Sequence, residues 1–553
     1  MTMRSGARVL VDALALNGAD TAYCVPGESY LHVLDALADT PQIRLIVCRQ
    51  EGGAANMADA YGKLTGRPGI CFVTRGPGAT NASIGVHTAM QDSTPMILFV
   101  GQVSRRNLGR EAFQEVDLPR MFGGLAKWAA QIDSAARIPE MIERAYATSL
   151  SGRQGPVVLA LPEDVLSEET TAADAPAALE VQAYPGEAEL RAFHTLLAAA
   201  ERPLVILGGS GWDEAACRAV RAFARDNALP VTCSFRRQDL FDNRDPNYAG
   251  DVGVGINPAL GARIKRADVI VALGARLGEI PTSNYTLIEA PRPKQRLVHV
   301  HADPNELGRV YRADLAINAG VAHFAEALRT LPKIENPRWS GWTADARADY
   351  EANVAPAPMS GNLNLGDAVR YLSQHLPEDA IITNGAGNYS GWVHRFFAFK
   401  RPRTQLAPTS GAMGYGVPGA VAAKLRYPDR TVVAFAGDGC FLMNGQELAT
   451  AMQYGAAIVV LVVNNGMYGT IRMHQEREFP GRVYGTELVN PDFVALAEAY
   501  GAYGELVERT EDFAAAFERA ERAGRPALLE LRVDPEAINT RTTISALRAS
   551  ALR

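Results

Sequence analysis

The 553 residues exceed what one hydrophobic core accommodates and predict about three domains. Hydrophobic residues make up 47%, charged residues 21%, and the net charge is −6, an ordinary globular balance without the basic surface a nucleic-acid partner would need. No basic run and no apolar run of bilayer length occurs, which leaves a membrane or polyanion partner without support.

The N-terminal stretch MTMRSGARVLVDALALNG reads as an amphipathic helix rather than a targeting signal, because Asp12 and Asn17 interrupt its apolar run and no small-residue cleavage site follows. Next, the strand-like run RLIVC leads through Arg49-Gln50 into a helix that opens on Glu51. A carboxylate in a first helical turn is ordinarily a favourable charge–dipole pairing. A small-residue helix then ends in Lys63-Leu64, and an apolar strand stops at Gly76-Pro77-Gly78. The following helix contains Thr-Ala-Met (88–90), and the strand MILFV comes after it.

Residues 167–188 are acidic, rich in Ala and Pro, and read as a linker. Beyond them, PLVILGGSG, DVIVALGAR and RLVHVHADP alternate strand and glycine turn as in a nucleotide-binding fold, without a GxGxxG fingerprint. Residues 334–364, rich in Pro, Asn and Gly, read as a second linker. The chain thus divides into 1–166, 189–333 and 365–535, with a tail at 536–553. Alternating strands and Ala-rich helices predict α/β architecture, with three doubly wound parallel-sheet domains. The six cysteines (Cys24, Cys48, Cys71, Cys217, Cys233, Cys440) form no CxxC pair, as expected of buried reduced thiols in a cytoplasmic protein.

The last part repeats the plan of the first. Its helix ends in Lys424-Leu425, and Lys424 stands 13 positions before Gly437, as Lys63 does before Gly76. Thr-Ala-Met recurs at 450–452, followed by the strand AIVVLVV, and this matched spacing suggests duplication. The strand TVVAFA ends at Gly437-Asp438-Gly439, NGQELATAMQYG reads as a helix, and the next strand ends at Asn464-Asn465. A right-handed crossover makes the two strands parallel, so Asp438 and Asn465 emerge at one carboxyl edge, where open α/β sheets bind ligands. A carboxylate and an amide oxygen there suit a hard cation such as Mg²⁺. Glycines and a helix N-terminus after Gly439 would let a phosphate approach, so these residues suggest a metal-bound diphosphate.

GDG, 24 intervening residues and NN resemble the diphosphate-binding motif of thiamine-diphosphate enzymes. The whole chain is similar to the acetolactate synthase (acetohydroxyacid synthase) and pyruvate oxidase group, in that family's order of pyrimidine-binding, middle and diphosphate-binding domains. The resemblance implies thiamine diphosphate and Mg²⁺ as cofactors, the metal held by the side chains of Asp438 and Asn465 and the carbonyl of Met467. It implies further cofactor contacts at Gly437, Gly439, Cys440 and Tyr468, and at Gly387 and Asn388 in NGAGNYSGW. Met413, in GAMGYG, matches the residue that wedges the cofactor into its bent shape, with Gly411 beside it. Glu51 matches the glutamate that hydrogen-bonds the aminopyrimidine and promotes loss of the thiazolium C2 proton. Gln114, in the AFQE segment, and Gly27, in the turn Cys24-Val25-Pro26-Gly27, match residues near the reacting carbon.

The implied reaction is decarboxylation of a 2-oxo acid, pyruvate above all, and ligation of the two-carbon unit to a second carbonyl. The implied assembly is a homodimer or homotetramer with active sites at the dimer interface. The chain departs from the branched-chain synthases at His474, where they carry Trp, at Gln50, where His is common, and at His87, where a small apolar residue is usual. His87 and His474 are candidate substrate-contacting proton donors beside the bland reading of exposed histidines. Related synthases bind FAD in the middle domain, and residues 248–279 share the strand and turn plan without a decisive flavin motif. The rival readings are a simple 2-oxo acid decarboxylase and a 2-hydroxyacyl-CoA lyase or oxalyl-CoA decarboxylase. The CoA enzymes need a basic surface, for which Arg541, Arg548 and Arg553 of the tail are the candidates.

Overall fold

In the computed structural model, which describes residues 2–552, the short apolar runs form three six-stranded sheets in which every pairing is parallel. Strands buried on both faces by helices carry continuous Val, Ile and Leu rather than alternating patterns, as in Met96–Gln102 and Val459–Asn464.

The first sheet runs Arg44–Val47, Thr21–Cys24, Gly69–Val73, Met96–Gln102, Pro156–Pro162, Trp128–Gln131. The last runs Gln405–Leu406, Ile381–Asn384, Val432–Gly437, Val459–Asn464, Ala527–Arg532, Tyr503–Val507. Numbered from its own first strand, each has the order 2-1-3-4-6-5. The matched spacing read in the sequence therefore coincides with identical topology. The middle sheet, from Tyr248–Val252 to Leu315–Asn318, has the order 3-2-1-4-5-6 of dinucleotide-binding folds.

The chain gathers into two compact units. One holds the residues up to Val181 with Pro408–Pro428 and Leu442–Ala456. The other holds Gln182–Ala407, Asp429–Phe441 and the chain from Ala457 onward. Within the first, the helix Gly416–Arg426 packs along the buried helix Glu51–Thr65. A polar network ties them: Tyr415 OH donates to Asp59 Oδ2 at 2.7 Å, and Lys63 Nζ lies 2.8 Å from the same oxygen and also pairs with Asp92.

Two local expectations are corrected. The stretch 334–364 is not merely a linker, because it contains the helix Ser340–Val354. That helix is anchored by Trp339, fully buried, whose Nε1 donates to Asn227 O at 2.9 Å. Likewise, helix geometry begins at Asp438 itself, in the short helix Asp438–Asn444, not after Gly439; a separate helix spans Glu447–Gln453. All six cysteines are free and buried, and among the described residues no helix is long and apolar enough to cross a membrane.

Candidate active site

The last sheet brings the expected metal residues together. Its register pairs Gly437 with Val463, so Asp438 and Asn464 leave the carboxyl edge side by side, with Asn465 one step further. Asp438, 3% exposed, accepts from Gly439 N at 2.8 Å through Oδ1. Its Oδ2 accepts from Gly466 N at 2.8 Å and from Asn490 Nδ2 at 2.8 Å. Asn490 Nδ2 also donates to Asn464 Oδ1 at 3.0 Å, so one amide bridges both strand ends.

Burial pushes the Asp438 carboxyl above its ordinary range, with the hydrogen bonds from Gly439, Asn490 and Gly466 pulling the other way. No ion pair to Asp438 occurs among the described residues. A buried carboxylate lacking a counter-charge beside the amide oxygens of a strand-end loop fits a hard divalent cation. Among the described residues no group of three or more His, Cys, Asp and Glu could hold a metal. Asn465 Oδ1 accepts from Met467 N at 3.3 Å, and Tyr468 N donates to Thr486 O at 2.8 Å, which fixes the loop carrying Met467.

The glycines of this turn are required by two tyrosine rings. A Cβ on Gly439 would lie 2.5 Å from Tyr468 Cε1, and one on Gly437 would lie 3.0 Å from Tyr389 Cδ1. Tyr389 OH donates to Cys440 Sγ at 3.3 Å and accepts from Gly385 N at 3.1 Å. The turn 385–389 and Asp438 follow adjacent strands 1 and 3, the point where strand order reverses and doubly wound sheets open a crevice. Gly387 has φ +147°, a conformation that excludes side chains. The Asn388 amide is engaged elsewhere: Nδ2 donates to Ile538 O at 2.8 Å, and Oδ1 accepts from Thr470 Oγ1 at 2.9 Å.

In the first sheet Glu51 opens its helix, capped by Gln50, whose Oε1 accepts from Gly53 N at 3.0 Å. Glu51 is half-buried and its Oε2 accepts from Asn81 Nδ2 at 2.9 Å. Gly27 is extended and lies against Thr74, where a Cβ would come within 2.5 Å of Thr74 Cβ. Gln114 adopts φ +64°; its carbonyl accepts from Gly76 N at 3.0 Å, and its buried Oε1 has no hydrogen-bond partner among the described residues. An orphaned buried amide oxygen in a strained loop fits a residue kept for a ligand. Glu115, which accepts from Gly109 N at 2.6 Å and Ala112 N at 2.9 Å, folds that loop.

Met413 is half-buried between Gly411 at φ +70° and Gly414 at φ +79°. A Cβ on Gly414 would collide with Met443 Cβ at 2.7 Å, and Asn444 Nδ2 donates to Gly414 O at 3.1 Å. His87 is exposed on the helix Gly76–Asp92, and His474 is exposed on the helix Gly469–Glu478. Sequence reasoning missed Asn81, Asn490, Tyr389 and Glu447, because each bonds a partner at least 30 positions away in the chain.

At the middle sheet, the first crossover helix Glu214–Asp226 is N-capped by its own Asp213, whose carboxylate accepts from Ala216 N at 2.6 Å. Trp212 Nε1 donates to Gly208 O at 2.8 Å, and a Cβ on Gly209 would lie 2.1 Å from Gly274 O. One N–H of that helix's first turn is thus satisfied by the protein itself, and Gly209 and Gly274 let two strand-end turns approach closely. In the tail, Arg548 Nε donates to Glu476 Oε2 at 2.9 Å and Arg541 Nη2 donates to Asn353 Oδ1 at 2.7 Å. Arg553 lies outside the described residues.

Comparison with known proteins places the chain in a family. Residues 4–121 match the family model described as the thiamine pyrophosphate enzyme N-terminal TPP binding domain, 190–328 its central domain, and 385–531 its C-terminal TPP binding domain. The chain is 31% identical over 549 residues to the acetolactate synthase large subunit of Parasynechococcus marenigrum, covering 96% of this chain and 87% of that one. It is 30% identical to the acetolactate synthase isozyme 2 large subunit of Escherichia coli, over 96% of both chains. A probable acetolactate synthase large subunit of Methanocaldococcus jannaschii is 30% identical, over 96% of this chain and 92% of the relative.

Proposed function

Since the chain belongs to the family of thiamine pyrophosphate enzymes, we propose that it decarboxylates a 2-oxo acid, pyruvate first among them, and joins the two-carbon unit to a second carbonyl compound. The observation that carries this is Asp438: a buried carboxylate without a counter-charge among the described residues, steered by Asn490 and Gly466 N toward the Asn465 loop. Asp438, Asn465 and the Met467 carbonyl would hold Mg²⁺ against the diphosphate. Gly437, Gly439, Cys440, Tyr468, Gly387 and Asn388 would line it. Bound there, thiamine diphosphate supplies the carbanion chemistry that bond cleavage next to a keto group requires.

The chain's own residues contribute position and protons. Glu51, held by Asn81, would keep a proton at the aminopyrimidine ring nitrogen; Met413 and Gly411 would orient that ring. Gln114 would offer its unpartnered side-chain oxygen to the reacting groups, with Gly27 leaving them room. His87 and His474 would contact substrate only in an assembled, closed enzyme, since both are exposed in the single chain. The working assembly is a homodimer, or a pair of them, in which Glu51 of one chain serves the cofactor bound at Asp438 of another. FAD at the middle sheet stays a possible second cofactor, with no step of the proposed reaction assigned to it.

The test is product analysis with thiamine diphosphate, Mg²⁺ and pyruvate, with and without an aldehyde acceptor. Acetolactate or a mixed 2-hydroxyketone is expected. Acetaldehyde alone would favour the simple decarboxylase, and turnover of a 2-hydroxyacyl-CoA without pyruvate consumption would favour the acyl-CoA lyase. That last reading is weakened by Arg541 and Arg548, which are already bonded within the fold. Glu51→Gln should retain cofactor binding and lose roughly 100-fold or more in turnover.

A further inference from the structure

The segment just before Glu51 is held by one helix that the proposed reaction leaves without a role. In Glu447–Gln453 and the residue after it, three side chains reach back to residues 47–50 of the same compact unit. Tyr454 OH accepts from Val47 N at 2.8 Å, and Gln453 Oε1 accepts from Arg49 Nη2 at 2.6 Å. Glu447 sits between them, its side chain fully buried. Its Oε1 accepts from Arg49 N at 3.1 Å and Gln50 N at 3.0 Å, and its Oε2 accepts from Thr450 Oγ1 at 2.5 Å.

A carboxylate in this position is costly. Burial pushes its pKa up, opposed by Thr450 and the two backbone N–H groups. A buried acceptor for two N–H groups need not be charged, since a carbonyl or amide oxygen would serve. What the carboxylate adds is one oxygen that accepts from two consecutive N–H groups, which fixes the peptide orientation where the chain turns from strand into helix. The next residue is Glu51. Gly53 completes the fit, because a Cβ there would lie 2.5 Å from Glu447 Oε1 and would push the carboxylate off its partners.

We propose that Glu447 is a positioning residue, whose buried carboxylate templates the Arg49–Gln50 turn and thereby aims the Glu51 carboxylate. This rests on the reading of Glu51 as the residue that promotes proton loss at the cofactor's C2 carbon. Misplacing a reacting group by about 1 Å costs up to roughly 100-fold, so loss of the template should slow that proton loss without abolishing cofactor binding.

The experiment measures exchange of the C2 proton of bound thiamine diphosphate into deuterium oxide, on holoenzyme of wild type, Glu447→Ala, Glu447→Gln, Gly53→Ala and Glu51→Gln. Cofactor affinity and thermal unfolding are measured on the same samples. Glu447→Ala should bind cofactor within a few-fold of wild type and exchange at least about tenfold more slowly. Glu447→Gln should recover most of the rate, because its Oε1 can accept both backbone N–H groups while Nε2 turns to Thr450. Gly53→Ala, which keeps the charge but displaces it, should reproduce the alanine defect and decides the matter if Glu447→Ala does not fold. Wild-type exchange per bound cofactor in folded Glu447→Ala or Gly53→Ala overturns the proposal. Wild-type exchange in Glu51→Gln instead overturns the reading of Glu51 on which it rests.

Discussion

Asp438 shows how a single buried charge directs the surrounding residues. Isolated in a low-dielectric edge, it would be strongly destabilising, so the fold surrounds it with donors, and under the proposed function a cation would supply the missing counter-charge. Asn490 is the donor that also reaches Asn464, at 2.8 Å and 3.0 Å respectively. Removing such an orienting partner typically weakens a metal site by roughly 10- to 100-fold. Asn490→Ala is therefore expected to raise the Mg²⁺ concentration for half-maximal activity by about that factor, with turnover recovering at saturating metal. A titration in which the half-saturation point does not move would remove Asn490 from the site. The placement of Asp438 and Asn465 at one carboxyl edge was readable in advance, because two strands joined by one helix make a local pattern. Asn490 was not, since nothing in VNPDF announces that its amide turns back 52 residues to an aspartate.

The elements themselves follow from composition where composition is decisive. Runs such as VVLVV, buried on both faces, admit little besides a parallel strand. Boundaries were less readable where one tertiary contact outweighs local propensity, as in the helix Ser340–Val354, flanked by Pro and Gly yet pinned by Trp339 to Asn227. The C-terminal helix Ile544–Ala551 is held in the same way, through Glu476 on the helix Gly469–Glu478. Glu476, 1% exposed at its side chain, accepts from Arg472 Nη2 at 2.7 Å and Arg548 Nη2 at 2.8 Å. The Arg548 guanidinium first, and Arg472 with it, hold its carboxyl down to about 2 from an ordinary 4.5. A carboxyl depressed in the folded state stabilises fully above its unfolded pKa and loses that contribution as pH falls through the folded one. Glu476→Gln should thus cost about 2 kcal/mol at neutral pH, after allowance for the exposure of Arg548. The difference in melting temperature from wild type should narrow as pH drops below about 4.5 toward 2. A difference that grows on acidification would contradict this account of the contact.

At the scale of the whole molecule, the first and last sheets share one strand order, 2-1-3-4-6-5, and each places its candidate residues on the loops at its carboxyl edge. Glu51 follows strand 2 of the first sheet; Asp438 follows strand 3 of the last. Under the proposed assembly the two halves of a working site come from different chains, and that arrangement has a quantitative consequence. Glu51→Gln and Asp438→Ala chains, each inactive alone, would form mixed dimers in which one site carries both lesions and the other carries none. Random reassortment gives half of the dimers this mixed composition, each with one of two sites intact, so about a quarter of wild-type activity should return. If instead each site were built from one chain, every site in every dimer would carry a lesion and mixing would restore nothing. Denaturing and refolding the two variants together, against each refolded alone, separates these outcomes. A return of about a quarter would establish that the first and last sheets operate as a pair across chains, whereas no return would mean that each chain completes its own site.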